Sequence, residues 1–106
     1  MEMKTYQPLN CPLCGIELLS TEDLKNLTQA VGEKIGVGKT MLFCEECNTR
    51  VGILIVSDTK EWILFAVPVA YLDHGFGLLI QLRENFGWPI ERIKKTMEQY
   101  LPKALS

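Results

Sequence analysis

Cys11-Pro12-Leu13-Cys14-Gly15 and Cys44-Glu45-Glu46-Cys47-Asn48 are the two stretches on which the fold of this chain turns. Each puts two residues between its cysteines, a spacing that lets both sulfurs of one tight turn point at a single ion about 2.3 Å away. Two such turns complete a tetrahedron, so Cys11, Cys14, Cys44 and Cys47 are the expected ligands of one metal ion. Four protein ligands leave no position for water or substrate, which makes the expected site structural rather than catalytic. Gly15 suits the positive φ that often follows such a turn.

Between the knuckles there is room for a helix and a strand. Ser20 or Thr21 is placed to cap the helix, with Glu22 and Asp23 in its first turn where acids favour the dipole. Leu24, Leu27, Val31 and Ile35 give it one apolar face. Gly36 and Gly38 end it, and Thr40 to Cys44 reads as a strand leading into the second knuckle. Val51 to Val56 and Trp62 to Val67 are two further strands, rich in β-branched and aromatic residues. Ser57 to Lys60 joins them as a polar hairpin loop. Both strands are apolar at nearly every position, which predicts that both sheet faces are covered, by helices, by the knuckles or by a second subunit. In simple alternation Ile53, Ile55, Ile63 and Phe65 share one face, and Leu54, Val56, Trp62 and Leu64 the other. One face meets the helices and the other a second copy, so a homodimer is expected.

Two helices complete the chain. Asp73 is placed to cap one that begins near His74, with Leu72, Phe76, Leu79, Leu82 and Phe86 near one face and Gly87 as its stop. Pro89 starts the other, as proline does at a first helical position. Ile90, Ile93, Met97, Tyr100 and Leu101 form its stripe, and Pro102 ends it.

The knuckles give the chain a family likeness. Cys-Pro-Leu-Cys-Gly at 11–15, followed by strand, Cys44-Glu-Glu-Cys47 and strand, resembles the zinc-ribbon and rubredoxin-like knuckle proteins over residues 9–56. The resemblance implies metal ligation at all four cysteines. It implies no particular partner, because such ribbons serve many functions. Two features depart from the pattern: Asn48 stands where glycine is common, and the spacer holds a helix. Zinc is the expected ion and iron the alternative, since tetrahedral four-sulfur sites suit both.

Composition sets limits. The chain has 106 residues, 47% of them hydrophobic, enough for one domain with a real core that benefits from a staple. The formal charge is -2; four thiolates add -4 and a zinc ion restores +2, leaving -4 on the loaded protein. That balance supplies no general attraction to nucleic acid or to an acidic membrane. No run approaches the roughly 18 apolar residues of a membrane span, and no signal-like segment is present. A cytoplasmic, reducing location is expected, where paired CxxC favours metal over disulfides.

Other signals look chemical. A dithiol redox role for the CxxC pairs is opposed by Glu45 and Glu46, whose charge suppresses the thiolate. Gly36-Val37-Gly38-Lys39-Thr40 ends like a phosphate-binding loop, but Glu33 replaces the required first glycine and a strand follows, so it reads as a helix-to-strand connection. Asp73 beside His74 suggests acid–base chemistry, yet no nucleophile accompanies them. Trp62 and Trp88 read as packing residues. Leu82, Phe86, Gly87 and Ile93 resemble the spacing of a helix-turn-helix over 75–101, which would put Arg92, Lys94 and Lys95 near DNA. Arg83 sits where that family has a small residue, and Glu91 and Glu98 dilute the positive charge.

The expected fold is therefore α+β: zinc-ribbon-like knuckles, a small three-stranded antiparallel sheet, a helix in the spacer and a C-terminal helical hairpin. It forms a single zinc-stapled domain over 1–106, with the knuckle region at 9–56 and the hairpin strand and C-terminal helices at 57–106. The expected function is that of a small cytoplasmic metal-binding protein, not an enzyme, acting as a protein–protein binding or adaptor module. The alternatives are a DNA-binding regulator using the C-terminal helices and a rubredoxin-like iron electron carrier.

Overall fold

A computed structural model describes residues 9–24, 26, 36–58 and 62–100, and the architecture is α+β. In chain order the elements are β1 (Leu9–Asn10), β2 (Glu17–Leu19), β3 (Gly36–Cys44), β4 (Thr49–Ser57) and β5 (Trp62–Pro68). A 3₁₀ turn (Val69–Tyr71), α1 (Leu72–Ile80), a π-helical turn (Gln81–Asn85) and α2 (Ile90–Tyr100) follow. β1 and β2 pair with each other, and β3, β4 and β5 form an antiparallel meander with β4 in the middle.

β4 is the centre of the molecule because its two sets of side chains enter two different cores. Leu54 and Val56 join Val67 of β5 under Leu72, Leu79, Leu82, Ile90, Ile93 and Met97 of the helical segments. Val51 and Ile53 face the other way, onto Cys11 and Cys44, with Leu9 and Leu18 of the knuckle arm packed beside them. Helices thus cover one face of β4 and the knuckles much of the other, while Ile55 of β4 and Trp62 and Leu64 of β5 stay half-buried.

The hairpin register corrects the expected grouping across β4 and β5. Ser57 pairs with Trp62, Val56 with Ile63, Ile55 with Leu64 and Leu54 with Phe65. An even number of residues lies between Ser57 and Trp62, so even positions of β4 share a face with odd positions of β5. Ile63 and Phe65 therefore belong with Leu54 and Val56 on the helix side, while Leu64 joins Ile53 and Ile55 on the knuckle side.

Ser20 is the cap expected for the spacer helix. Its Oγ accepts the Asp23 N–H at 3.1 Å while Asp23 Oδ2 accepts the Ser20 N–H at 3.1 Å, a reciprocal capping box. Residues 21–24 are helical and Leu24 is buried; Leu27, Val31 and Ile35 lie outside the described residues. β3 begins earlier than expected, at Gly36 rather than Thr40, so the Gly-Lys-Thr stretch is strand and not a connection. Val37 packs against the helix-side core and Lys39 pairs with Asp73, and both contacts draw this stretch into the sheet.

α1 also begins early, at Leu72. The preceding 3₁₀ turn leads directly into it, no side chain caps it, and Asp73 spends its carboxylate on Lys39. Phe86 and Tyr100 leave the expected apolar stripes, at 62% and 50% exposure. The π turn, marked by the Phe86 N–H bond to the Gln81 carbonyl at 3.2 Å, adds a residue to the last turn and swings Phe86 outward. Gly87, at φ 66°, then closes the helix, as expected. Leu101 and Pro102 lie outside the described residues.

Gly52 permits the close approach of α1 to the sheet. A Cβ at that position would lie 2.6 Å from Leu72 Cδ1 and 3.0 Å from Leu72 Cβ. Gly52→Ala is expected to destabilise the fold by about 1–3 kcal/mol through overpacking, read as a lower denaturation midpoint at constant m-value.

Candidate metal centre

The first knuckle hangs on the small β1–β2 ladder, in which Leu9 faces Leu19 and Asn10 faces Glu17. Inside the loop the Cys11 N–H donates to the Ile16 carbonyl at 2.7 Å and the Gly15 N–H donates to the Cys11 carbonyl at 2.9 Å. The Leu13 N–H points at Cys11 Sγ, 3.4 Å away. Gly15 has φ 82° and open space around its Cβ position, so the backbone conformation and not crowding calls for glycine.

The second knuckle is the turn that joins β3 to β4, closed by the Cys44–Thr49 pair. Asn48 holds φ 53° and is the one non-glycine residue with positive φ among those described. Asparagine tolerates that region better than other side-chain-bearing residues. The apparent departure from the ribbon pattern is thus no departure in backbone shape: Asn48 does in the second knuckle what Gly15 does in the first.

The two knuckles meet sulfur to sulfur. Cys11 Sγ lies 3.7 Å from Cys47 Sγ, and Cys14 Sγ lies 3.5 Å from Cys44 Sγ. All four sulfurs fall within 4.8 Å of one another. A tetrahedron with metal–sulfur bonds near 2.3 Å has sulfur–sulfur edges of about 3.8 Å, whereas a disulfide needs about 2.05 Å. The four cysteines are free thiols at spacings that fit the first geometry and exclude the second. Such a cluster can hold one metal ion.

The surroundings are lopsided. Cys11 and Cys44 are buried, Cys47 is half-buried and Cys14 is exposed. Thr49 Oγ1 lies 2.9 Å from Cys47 Sγ and can donate to it once that sulfur is ionised. Burial opposes ionisation of Cys11, but the backbone around Cys14 and Leu13 and the neighbouring sulfurs outweigh it, and the thiol is drawn down to about 7. Cys14 has a backbone bond at Ile16 that favours its thiolate, yet desolvation and the sulfurs of Cys44, Cys11 and Cys47 push it up to about 12. Cys47 is likewise raised despite its bond to Thr49, by desolvation and by Cys44 and Cys11. Without a cation the cluster accommodates one thiolate readily and resists the next.

The remaining candidates find other partners. Asp73 pairs with Lys39, whose ammonium also lies over the Phe76 ring at 5.0 Å, and His74 hydrogen-bonds Tyr100 through Nε2 and stacks on its ring. Asp73 and His74 are thus drawn to different neighbours. Arg83, the misfit in the helix-turn-helix pattern, donates to the Trp88 carbonyl at 2.9 Å and ties the turn between α1 and α2. Arg92 stacks on the Trp88 ring at 3.7 Å, while Lys94 and Lys95 are exposed. Thr49 and the Leu13 N–H were the groups at the cysteine cluster that sequence reading missed. A hydroxyl residue two positions after the last cysteine was the only sign of the former.

Comparison with protein families, with curated proteins and with solved structures gives no match for this chain.

Two outcomes follow from this geometry. Asn48→Gly should be nearly neutral, whereas Asn48→Val should cost about 1–2 kcal/mol for the left-handed backbone, both read by thermal melting of the metal-loaded protein. Because Cys14 and Cys47 keep their protons at neutral pH, metal binding must expel protons. Affinity should therefore rise with pH, and an indicator dye should record proton release as zinc is added.

Proposed function

We propose that Cys11, Cys14, Cys44 and Cys47 ligate one zinc ion in a closed four-thiolate site, and that the protein is a zinc-stapled binding or adaptor module rather than an enzyme. The observation that carries the metal assignment is the pair of inter-knuckle sulfur distances, 3.7 and 3.5 Å, close to the edge of a zinc–thiolate tetrahedron. Zinc supplies charge neutralisation for the thiolates and a covalent-like link between two short hairpins. In small zinc-binding peptides such binding contributes roughly 10 kcal/mol or more to folding. A reducing compartment, the cytoplasm, keeps these thiols available to metal.

The adaptor part rests on surface chemistry. Leu13 and Ile16, at 51% and 40% exposure, flank the exposed sulfur of Cys14 on the first knuckle. Exposed apolar groups on a rigid, metal-held loop suit contact with another protein. The regulator alternative has less in its favour: Arg92 is stacked on Trp88, leaving Lys94 and Lys95 beside Glu91 and Glu98. No helix among the described residues is long and apolar enough to cross a membrane.

Elemental analysis of the purified protein should give one zinc per chain and a colourless solution; a visible sulfur-to-iron absorption would replace the zinc reading with the iron carrier. Cys14→Ser and Cys44→Ser should each lose the ion and lower the melting temperature, and a chelator should do the same to the natural chain. If the chelator strips the metal with circular dichroism and melting temperature unchanged, the ion is not a staple. Sequence-selective duplex binding at physiological salt, lost on replacing Lys94 and Lys95 by alanine, would favour the regulator.

A further inference from the structure

We propose that β3 is the docking surface for a second copy of this chain, two β3 strands pairing antiparallel about a two-fold axis at Thr40. This stands apart from the metal assignment and replaces contact through a sheet face with contact through a sheet edge.

β3 is an edge strand of the meander, and among the described residues nothing pairs with its outer side. Edge strands present unpaired N–H and C=O groups, which proteins guard with short length, proline, bulges or outward charge. Of these guards β3 has only a charge, Lys39, which remains partly exposed. The strand runs nine residues, against a usual strand of about five or six, and its register with β4 is unbroken from Gly36 to Cys44. It contains no proline. Its one charged residue, Lys39, turns onto Asp73 and the Phe76 ring of its own subunit. The opposite edge, β5, ends in Pro68, which lacks a ladder donor.

The sequence of β3 is complementary to itself. The register that uses the whole strand sets Thr40 against Thr40, Lys39 against Met41, Gly38 against Leu42, Val37 against Phe43 and Gly36 against Cys44. No like charges oppose each other, and a threonine pair across strands is favourable. On the knuckle side each glycine meets a larger residue. Gly36 has a positive φ of 154° that explains its glycine, but Gly38 has no such φ. A Cβ at Gly38 meets nothing within 4 Å, so packing among the described residues gives no reason for glycine there. That open space is where Leu42 of the second copy would lie. On the helix side the pairing places Met41 and Phe43, now 46% and 53% exposed, beside Lys39 and Val37 of the second copy. A two-fold pairing is also closed: it consumes both β3 edges and leaves the β5 edges outermost, so it ends at a dimer and not a fibre.

The test is sedimentation of the full chain, purified with its metal, at micromolar concentration. The natural sequence should sediment at about 24 kDa, twice its 12.0 kDa chain mass. Thr40→Lys sets two ammonium groups against each other at the axis and should give the 12.0 kDa species. Met41→Lys, at a position now 46% exposed, sets an ammonium group directly against Lys39 of the second copy. It should therefore sediment as a monomer while its circular dichroism stays that of the natural fold. Should one variant fail to fold by circular dichroism, the other decides. Outward β3 amides should exchange slowly in the natural dimer and quickly in the variants. A monomeric natural chain, a foreign strand needed for slow exchange, a dimer that survives the folded variants, or β3 amides equally slow in all forms would each overturn the proposal.

Discussion

Four cysteine sulfurs within 4.8 Å of one another set the central electrostatic constraint of this protein. Ionised together in the absence of a cation they repel, and desolvation adds to the cost, which is why Cys14 and Cys47 hold their protons more tightly than an ordinary thiol. A divalent ion reverses the sign of the problem. The same closeness then becomes a four-point link between a loop near the start of the chain and the β3–β4 turn. The backbone is already shaped for it: Gly15 and Asn48 both hold the left-handed conformation just after their CxxC turns.

What depends on that link is one face of the sheet. β1 and β2 span two and three residues, too little for a hairpin to be stable alone. They nevertheless cover Val51 and Ile53, which are essentially inaccessible to solvent. The opposite face has a different basis, since Leu54, Val56 and Val67 are buried by helices whose own apolar stripes and turn closures are local. β4 belongs to both cores, so the knuckle-covered face and the helix-covered face meet along a single strand. Gly52 sets how closely the helical layer can approach it.

Much of this was legible in the sequence because the relevant signals are local. CxxC spacing announced the sulfur cluster, Ser20 announced a helix start, and β-branched runs announced β4 and β5. Gly87 announced the end of the first C-terminal helix. What escaped was set by partners distant in sequence or by the count of loop residues. Asp73 resembled a cap because its contact, Lys39, lies on another element. Glycines at 36 and 38 suggested a connection, but Val37 and Lys39 draw that stretch into β3. The facial partners of β4 and β5 depend on the parity of a loop, which alternation within each strand cannot reveal. Phe86 fitted an α-helical stripe, and only the π turn removes it. Asn48 was read as a break in the knuckle pattern, whereas its backbone supplies what the pattern requires.

The central claim is that four sulfurs, and nothing else, surround one metal ion. X-ray absorption at the metal edge of the purified protein tests it directly, because the scattering shell reports ligand type, number and distance together. The account predicts a single shell of four sulfurs at about 2.3 Å around zinc, with no oxygen or nitrogen scatterer. A shell containing oxygen or nitrogen, or fewer than four sulfurs, would contradict the closed four-thiolate site.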